Sequence, residues 1–387
     1  MGLTGKFVFF CALCFIHFSC IHPRLMSADQ WTSSSAFSQA ATAPLKKGIA
    51  GPITGILNGK LLVAGGNNFP DSMPWLGGSK RYYDRIFLLR EQDGDLVAKE
   101  ADGRLPVNLS YAAVCSIEKG VFVAGGENDQ GPTAIVFLLT EDGQNQSKTI
   151  PLTSLPFALT NAQAAAIGDK VYVAGGENSS GTSTAFFCLN LADPFPAWRR
   201  LPDLPLALSH MVFIAVGNPE KPALALIGGR TKTPTGISKL HRSHFQFDPS
   251  SELWIKKSSL PYALTAGTGI ALDEGNMLMF GGDPGTVFSQ VEKKQVAIKE
   301  AVDVEKKRLL ETEKAQLQRG HPGFSTVVLL YESKKDRWSV AGSLPAPSPV
   351  TTTAVQWKNK VYLPCGEIRP GVRTTAILSV TLPNSRK

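Results

Sequence analysis

The segment Gly366-Glu367-Ile368-Arg369-Pro370-Gly371-Val372-Arg373-Thr374 sets one carboxylate among two guanidinium groups on a stretch bent by Pro-Gly. A positioned carboxylate can take a proton from a reacting group. A guanidinium can hold a ligand carboxylate through two parallel hydrogen bonds or stabilise developing charge. The same residue types also suit a plain salt bridge that holds a turn. A second chemically loaded stretch runs from Asn67 to Asp84, with two prolines, Trp75 and the basic pair Lys80-Arg81. Arg369, Asn67, Lys80, Arg81, Arg230 and His210 form a second rank of candidate ligand contacts behind Glu367 and Arg373, and His210 opens an inner strand.

These residues are placed by a phrase that recurs six times, a β-branched run ending in a Gly pair or its near equivalent. Its copies end at Gly65-Gly66, Gly125-Gly126, Gly175-Gly176, Gly228-Gly229, Gly281-Gly282 and Cys365-Gly366, at spacings of about 60, 50, 53, 53 and 84 residues. Self-similarity near 50 residues with Gly-Gly predicts an all-β, six-bladed kelch-type β-propeller over about residues 35–384. Loops after the second strands of a propeller gather at one mouth of the central channel. The residues behind the Gly pairs are Asn67-Asn68, Glu127-Asn128, Glu177-Asn178, Arg230, Asp283 and Glu367, a polar funnel. Exposure alone accounts for polarity at Asn128, Asn178 and Asp283.

A second signal frames each blade's end. Trp198, Trp254 and Trp338 are each followed seven positions later by a proline, Pro205, Pro261 and Pro345. Each Trp supplies a large apolar body to pack between neighbouring blades. The chain ends one strand after Gly366, so the sixth blade lacks its outer strand. Phe37 precedes Pro44 by the same seven positions, which predicts that an N-terminal strand around 35–39 closes the ring and removes its open edge. Between Gly282 and Ser325 lies a Glu/Lys/Gln/Ala-rich insertion in the fifth blade, residues 284–324, with apolar positions near helical spacing. It reads as a helix or helical pair, either a surface excursion or a cover over one mouth of the channel.

The bulk numbers exclude other classes. With 43% hydrophobic and 19% charged residues the chain is globular in composition, and a net charge of +8 without a Lys/Arg block suits an anionic ligand rather than nucleic acid. Lys6 followed by an apolar run over residues 7–21 is too short for a membrane span and reads as a signal peptide within residues 1–27. It ends either near Ser27-Ala28 or before Cys20, which would then carry a lipid anchor. Both predict an exported protein, periplasmic or held as an outer-membrane lipoprotein. Cys115, Cys188 and Cys365 are widely spaced and read as small buried apolar residues rather than a disulfide framework. No cysteine or histidine spacing suggests a metal, and no cofactor is expected. The histidines show no constellation with Tyr and Cys of the copper-radical kind. Oligomeric state is not legible.

The Glu367–Arg373 segment, the Asn-x-Pro…Pro-Trp-x-Gly-Gly-x-Lys loop and the helical insertion followed by Trp338-Ser339-x-Ala341-Gly342 together resemble the kelch-type sialic-acid mutarotases, the N-acetylneuraminate epimerases. The resemblance is strongest to a cyclically permuted branch, in which the blade order is rotated. It implies an isomerase that interconverts the α and β anomers of N-acetylneuraminate, with the residue matching Glu367 as proton acceptor and the one matching Arg373 assisting. Opening a cyclic hemiketal needs a base on the anomeric hydroxyl and an acid on the ring oxygen. Cys365 in place of the first Gly departs from the repeat. A non-catalytic kelch propeller that binds a sialylated glycan or a protein partner is the rival reading, because the fold does not dictate the function.

Overall fold

Each β-branched run that leads to a Gly pair forms the second strand of an antiparallel sheet, and six such sheets follow one another around a ring. The computed structural model describes residues 26–142 and 146–382; of the expected leader, only Met26 and Ser27 fall within them. Blade 1 contains the strands Ala50–Leu57, Lys60–Asn68, Arg85–Gln92 and Asp95–Arg104. Blades 2 to 5 begin with the inner strands Ala113–Ile117, Gln163–Ile167, Val212–Asn218 and Thr268–Ala271. Blade 6 begins with Val355–Trp357, continues through Lys360–Pro364 and Ile377–Thr381, and is completed by Trp31–Ser34. The core is the set of interfaces between blades, where alternate side chains of neighbouring sheets meet.

Two backbone devices join the blades. In the first, the second Gly of the pair donates its N–H to the connector that enters the next blade: Gly66 to Leu109, Gly126 to Leu159, Gly176 to Leu208, Gly229 to Leu264 and Gly366 to Ile49, all at 2.8–2.9 Å. The first Gly lies against that same connector, and a Cβ on Gly65, Gly125, Gly175 or Gly228 would run into the carbonyl oxygen that accepts the bond. Its φ of about 60° also favours glycine. Cys365 adopts the same backbone at φ 57°, a conformation that costs a non-glycine residue about 1–2 kcal/mol, and its side chain is buried with Leu45 and Ile49.

In the second device, one residue ahead of or within each inner strand is left-handed, with φ between 52° and 60°: Gly51, Tyr111, Asn161, His210, Ala266 and Thr351. Each donates its N–H to the carbonyl of its counterpart in the preceding blade. Tyr111 bonds Gly51, Asn161 bonds Tyr111, His210 bonds Asn161, Ala266 bonds His210, Thr351 bonds Ala266, and Gly51 closes the circle on Thr351, at 2.8–3.3 Å. The channel narrows to about 40 Å³ at this ring and opens beneath it to about 280 Å³.

The tryptophans act as outer clasps between blades. Trp198 lies between Phe122 of blade 2 and Phe187 of blade 3, and its indole N–H donates to the Thr153 carbonyl. Trp254 and Trp338 donate likewise to Pro202 and Ser258. In blade 6 this place belongs to Trp31, edge-to-face with Phe280 of blade 5 at 5.7 Å. The closing strand is therefore Trp31–Ser34, paired from Trp31↔Val380 to Ser34↔Ile377, and not the 35–39 segment expected from the Phe37–Pro44 interval. Residues Ala36–Ala40 form a short helix, α1, which inserts between strand and connector and shifts that interval; Phe37 is buried against Phe87 of blade 1. Met26 adds a bridge to Gly342 at the outer edge of blade 5. A leader ending at 27 would remove it, whereas one ending before Cys20 would leave it in place.

Among the described residues Cys115, Cys188 and Cys365 are all unpaired; Cys188 and Cys365 are buried and Cys115 half-buried beside the channel. The insertion is a helical pair, α2 over Thr286–Glu300 and α3 over Val304–Arg319, joined side by side by the Lys294–Glu313 ion pair. Asp303 caps α3 by accepting the Lys306 N–H at 2.6 Å.

Ring closure by Trp31–Ser34 generates a test. Trp31→Ala removes a buried indole from the blade 5–blade 6 interface and should cost about 3–5 kcal/mol. Deleting the chain through Ser34 should lower Tm further than that substitution, read by thermal unfolding monitored by circular dichroism.

Candidate functional site

The residue that follows each Gly pair is fixed by the backbone next to the ring. Glu127 pairs with Ser110, Glu177 with Thr160, Arg230 with Ser209, Asp283 with Thr265 and Glu367 with Val350, each through two reciprocal hydrogen bonds of 2.7–3.0 Å. The polar funnel thus stands on the rigid inner rim of the channel, on one face. A cavity of about 290 Å³ opens above blades 4 to 6. Its floor includes His210, Ala266 and Thr351 of the ring, and its polar wall includes Arg230, Asp283, Glu367 and Arg373. Apolar walls come from Phe69 and Pro74 of the blade 1 loop, from Val287, Phe288 and Val291 of α2, and from Phe324. The insertion therefore covers this mouth. It is anchored by Glu292, which accepts from both the backbone and the hydroxyl of Ser238 in blade 4 at 2.7 Å, and α3 packs on the Pro74–Leu76 turn.

Glu367 and Arg373 face each other across a short hairpin, Glu367–Arg369 against Val372–Arg373. The Pro370-Gly371 turn lets the chain reverse, and Gly371 fits closely under Pro74, where a Cβ would come within 2.6 Å of the proline ring. Glu367 Oε1 accepts the Gly371 N–H at 2.8 Å, and Oε2 lies 2.7 Å from Arg373 NH1. That second approach is a charge contact off the N–H line, so NH1 and Nε of Arg373 keep unpartnered hydrogens although buried. The Arg373 side chain is 4% exposed; its guanidinium sits over the Phe69 ring at 5.2 Å and donates to Asn67 Oδ1 at 3.4 Å. A buried cation with unused donors beside an apolar wall is suited to an anionic oxygen ligand.

Across the cavity stands a second guanidinium. Arg230 NH2 lies 3.1 Å from Glu177, its plane covers Phe288 at 5.0 Å, and its Nε has no partner. Lys232 and Ser209 also reach Glu177, at 2.5 and 2.6 Å. Burial alone would raise the Glu177 carboxyl, yet its neighbours hold it down at about 2. His210 is itself held near 3 by burial, and by Arg230 and Lys232 beyond it, so it is neutral at pH 7 and the two permanent cations stabilise Glu177. Two cations against one carboxylate leave this wall net positive.

Of the residues singled out in the sequence, Glu367, Arg373, Arg230 and His210 share the cavity. Asn67 does not line it; buried, it accepts from Arg373 and donates to Ala50 and Ser110. Lys80 is bound to Glu127 at 2.9 Å and lies over Tyr82 and Tyr111, outside the cavity. Arg81 and Arg369 are exposed and do not reach it. Two further residues line it. Asp283, whose polarity the sequence assigns to plain exposure, is buried in the wall, and burial pushes its carboxyl up. His321, just beyond α3, is buried there too; its Nδ1 accepts the Gly323 N–H at 3.0 Å, so the ring proton sits on Nε2. Only the repeat position of Asp283 hinted at its place, and nothing local signalled His321.

Among the described residues no group of three or more His, Cys, Asp or Glu side chains is arranged to hold a metal, and no helix is long and apolar enough to cross a membrane. The family model described as N-acetylneuraminate epimerase matches residues 152–387. N-acetylneuraminate epimerase of Salmonella enteritidis PT4 is 24% identical over 205 residues, 52% of each chain. That of Haemophilus influenzae strain PittEE is 26% identical over 190 residues, 49% of each. The chain thus matches about half the length of these curated relatives. The solved structure of YjhT superposes with a TM-score of 0.60 over 88% of this chain and 96% of its own at 14% identity, a likeness of fold.

Buried histidines make the fold acid-sensitive. His210 and His244, held by burial near 3 and 4 in the folded chain, protonate near 6.5 when it unfolds, so the unfolded state binds more protons between those values. Stability is full above about pH 6.5 and falls as the pH drops toward 3. Melting temperatures measured from pH 7 to pH 4 should decline, and His210→Asn, which places the residue of the neighbouring ring position Asn161, should flatten the slope.

Proposed function

The chain belongs to the N-acetylneuraminate epimerase family, and from that premise we propose that it is a mutarotase that interconverts the α and β anomers of N-acetylneuraminate by acid–base opening of the sugar ring. The observation that carries this reading is the Glu367–Arg373 pair in the wall of the cavity: a carboxylate held by a backbone N–H, beside a buried guanidinium with unused donors. Glu367 takes the proton of the anomeric hydroxyl. Arg373 stabilises the oxygen that gains charge as the ring opens, and Arg230, on the net-positive wall, holds the sugar carboxylate. Phe69, Phe288 and Phe324 offer apolar surface to the ring face and an acetyl methyl. A volume of about 290 Å³ suits one monosaccharide unit. A rotated blade order agrees with a linear family match confined to residues 152–387. Export is part of the proposal and rests on Lys6 and the apolar run over residues 7–21.

Freshly released α-N-acetylneuraminate, followed by NMR, tests this directly. The wild-type protein should accelerate exchange to the β anomer, and Glu367→Gln should lower the enzymatic rate by about 10²–10⁴-fold. A wild-type protein that leaves the spontaneous rate unchanged would sink the mutarotase reading; a fully active Glu367→Gln would sink only the base. Arg230→Gln should raise KM for the sugar acid more than it lowers kcat, since it removes binding common to ground and transition states.

A further inference from the structure

Ring opening by Glu367 requires a second group, because the ring oxygen must gain a proton as the C–O bond breaks. Neither Arg373 nor Arg230 can supply it, since a guanidinium does not give up its proton in a protein. His321 is a poor source. Its Nδ1 accepts the Gly323 N–H, so forming the imidazolium would break that bond, and burial further opposes the charged ring.

We propose that Asp283 is this acid, the proton donor to the ring oxygen and the complement of Glu367. The inference rests on the mutarotase reading and extends it to a residue of the neighbouring blade. Asp283 and Glu367 occupy the same repeat position in blades 5 and 6. Asp283 is fixed by two backbone bonds to Thr265, Glu367 by two to Val350, and the ring residues that follow, Ala266 and Thr351, are bonded to each other at 3.3 Å. Two carboxyl groups therefore stand on adjacent spokes and open into one cavity.

Their surroundings separate them. Glu367 has Arg373 at 2.7 Å, whereas Asp283 has no ion pair among the described residues and is 8% exposed. Its Oδ1 accepts the Gly285 N–H at 2.7 Å, and no hydrogen bond to Oδ2 is found among the described residues, so a proton there faces no competitor. Burial raises the carboxyl; Glu367 nearby adds to that, while His321, Arg230 and the Gly285 N–H act against it. Paired carboxyls whose environments diverge in this way divide into base and acid. The balance is complete. Glu367 takes the anomeric hydroxyl proton, the C–O electron pair passes to the ring oxygen, and Asp283 protonates that oxygen. After rotation in the open ketone, Asp283 takes the proton back and Glu367 returns its own, leaving the other anomer and both side chains as they began.

A structural role alone is also available to Asp283, because its bond to Gly285 shapes the turn ahead of α2. Asp283→Asn separates the two, since the amide oxygen still accepts from Gly285 while the side chain can no longer give up a proton. We expect an unchanged melting curve and an anomer-exchange rate at least about 10²-fold below wild type. A folded Asp283→Asn within about threefold of wild type would overturn the assignment while leaving the mutarotase reading intact. No exchange activity in the wild type would remove both. If Asp283→Asn fails to fold, the wild-type pH profile decides. With the spontaneous rate subtracted, the rate should fall as pH rises past the Asp283 pKa, by about tenfold per unit; a rate flat or rising toward about pH 8 would overturn it.

Discussion

Everything in this molecule hangs on a closed circle of six backbone hydrogen bonds among residues in the left-handed conformation, Gly51, Tyr111, Asn161, His210, Ala266 and Thr351. Five of the six are not glycine, and each stores about 1–2 kcal/mol of steric cost. That cost persists because each residue's carbonyl and N–H are both satisfied by its neighbours in the circle, and the Gly-pair bonds beside it hold the blades at the same spacing. Such a ring has no loose end. It sets the width of the channel, and it sets the height at which the residue behind each Gly pair emerges.

On this near-symmetric rim, chemistry arises from departures from symmetry. The same spoke position carries Asn67, Glu127, Glu177, Arg230, Asp283 and Glu367. Where the position meets a cation, as at Glu177 with Arg230 and Lys232, the carboxylate is stabilised and becomes part of the wall. Asp283 has no ion pair among the described residues, and burial, with the charge of Glu367 nearby, raises its carboxyl against the Gly285 N–H, His321 and Arg230. The helical pair completes the contrast by bringing Val287, Phe288 and Val291 over one side of the mouth, which excludes water from that side and strengthens every charge interaction inside. Glu127, the spoke of blade 2, is tied instead to Lys80, Tyr82 and Thr160, away from the cavity.

Much of this was legible from residue types in order. Glycine pairs report where backbones crowd, because a Cβ at the first Gly of four copies would meet a neighbouring carbonyl, so the six-bladed count and the face bearing Glu367 and Arg373 follow from the repeat itself. Trp198, Trp254 and Trp338 likewise announce interfaces through their size. The closing strand was misplaced for an equally physical reason: an interval of seven residues carries no record of whether the chain between is extended or helical, and α1 occupies that space.

What the order of residues determined, then, is the periodic scaffold and the local hairpin that sets Glu367 opposite Arg373, since both depend on contacts between near neighbours or equivalent copies. The tertiary structure alone decided which other residues share that cavity. Asp283 and His321 are separated by both helices of the insertion, and Phe69 and Arg230 belong to different blades. Lys80 and Arg81 point elsewhere despite their promising composition. Burial and charge proximity belong to the folded arrangement, and these raise the Asp283 carboxyl while holding that of Glu177 down.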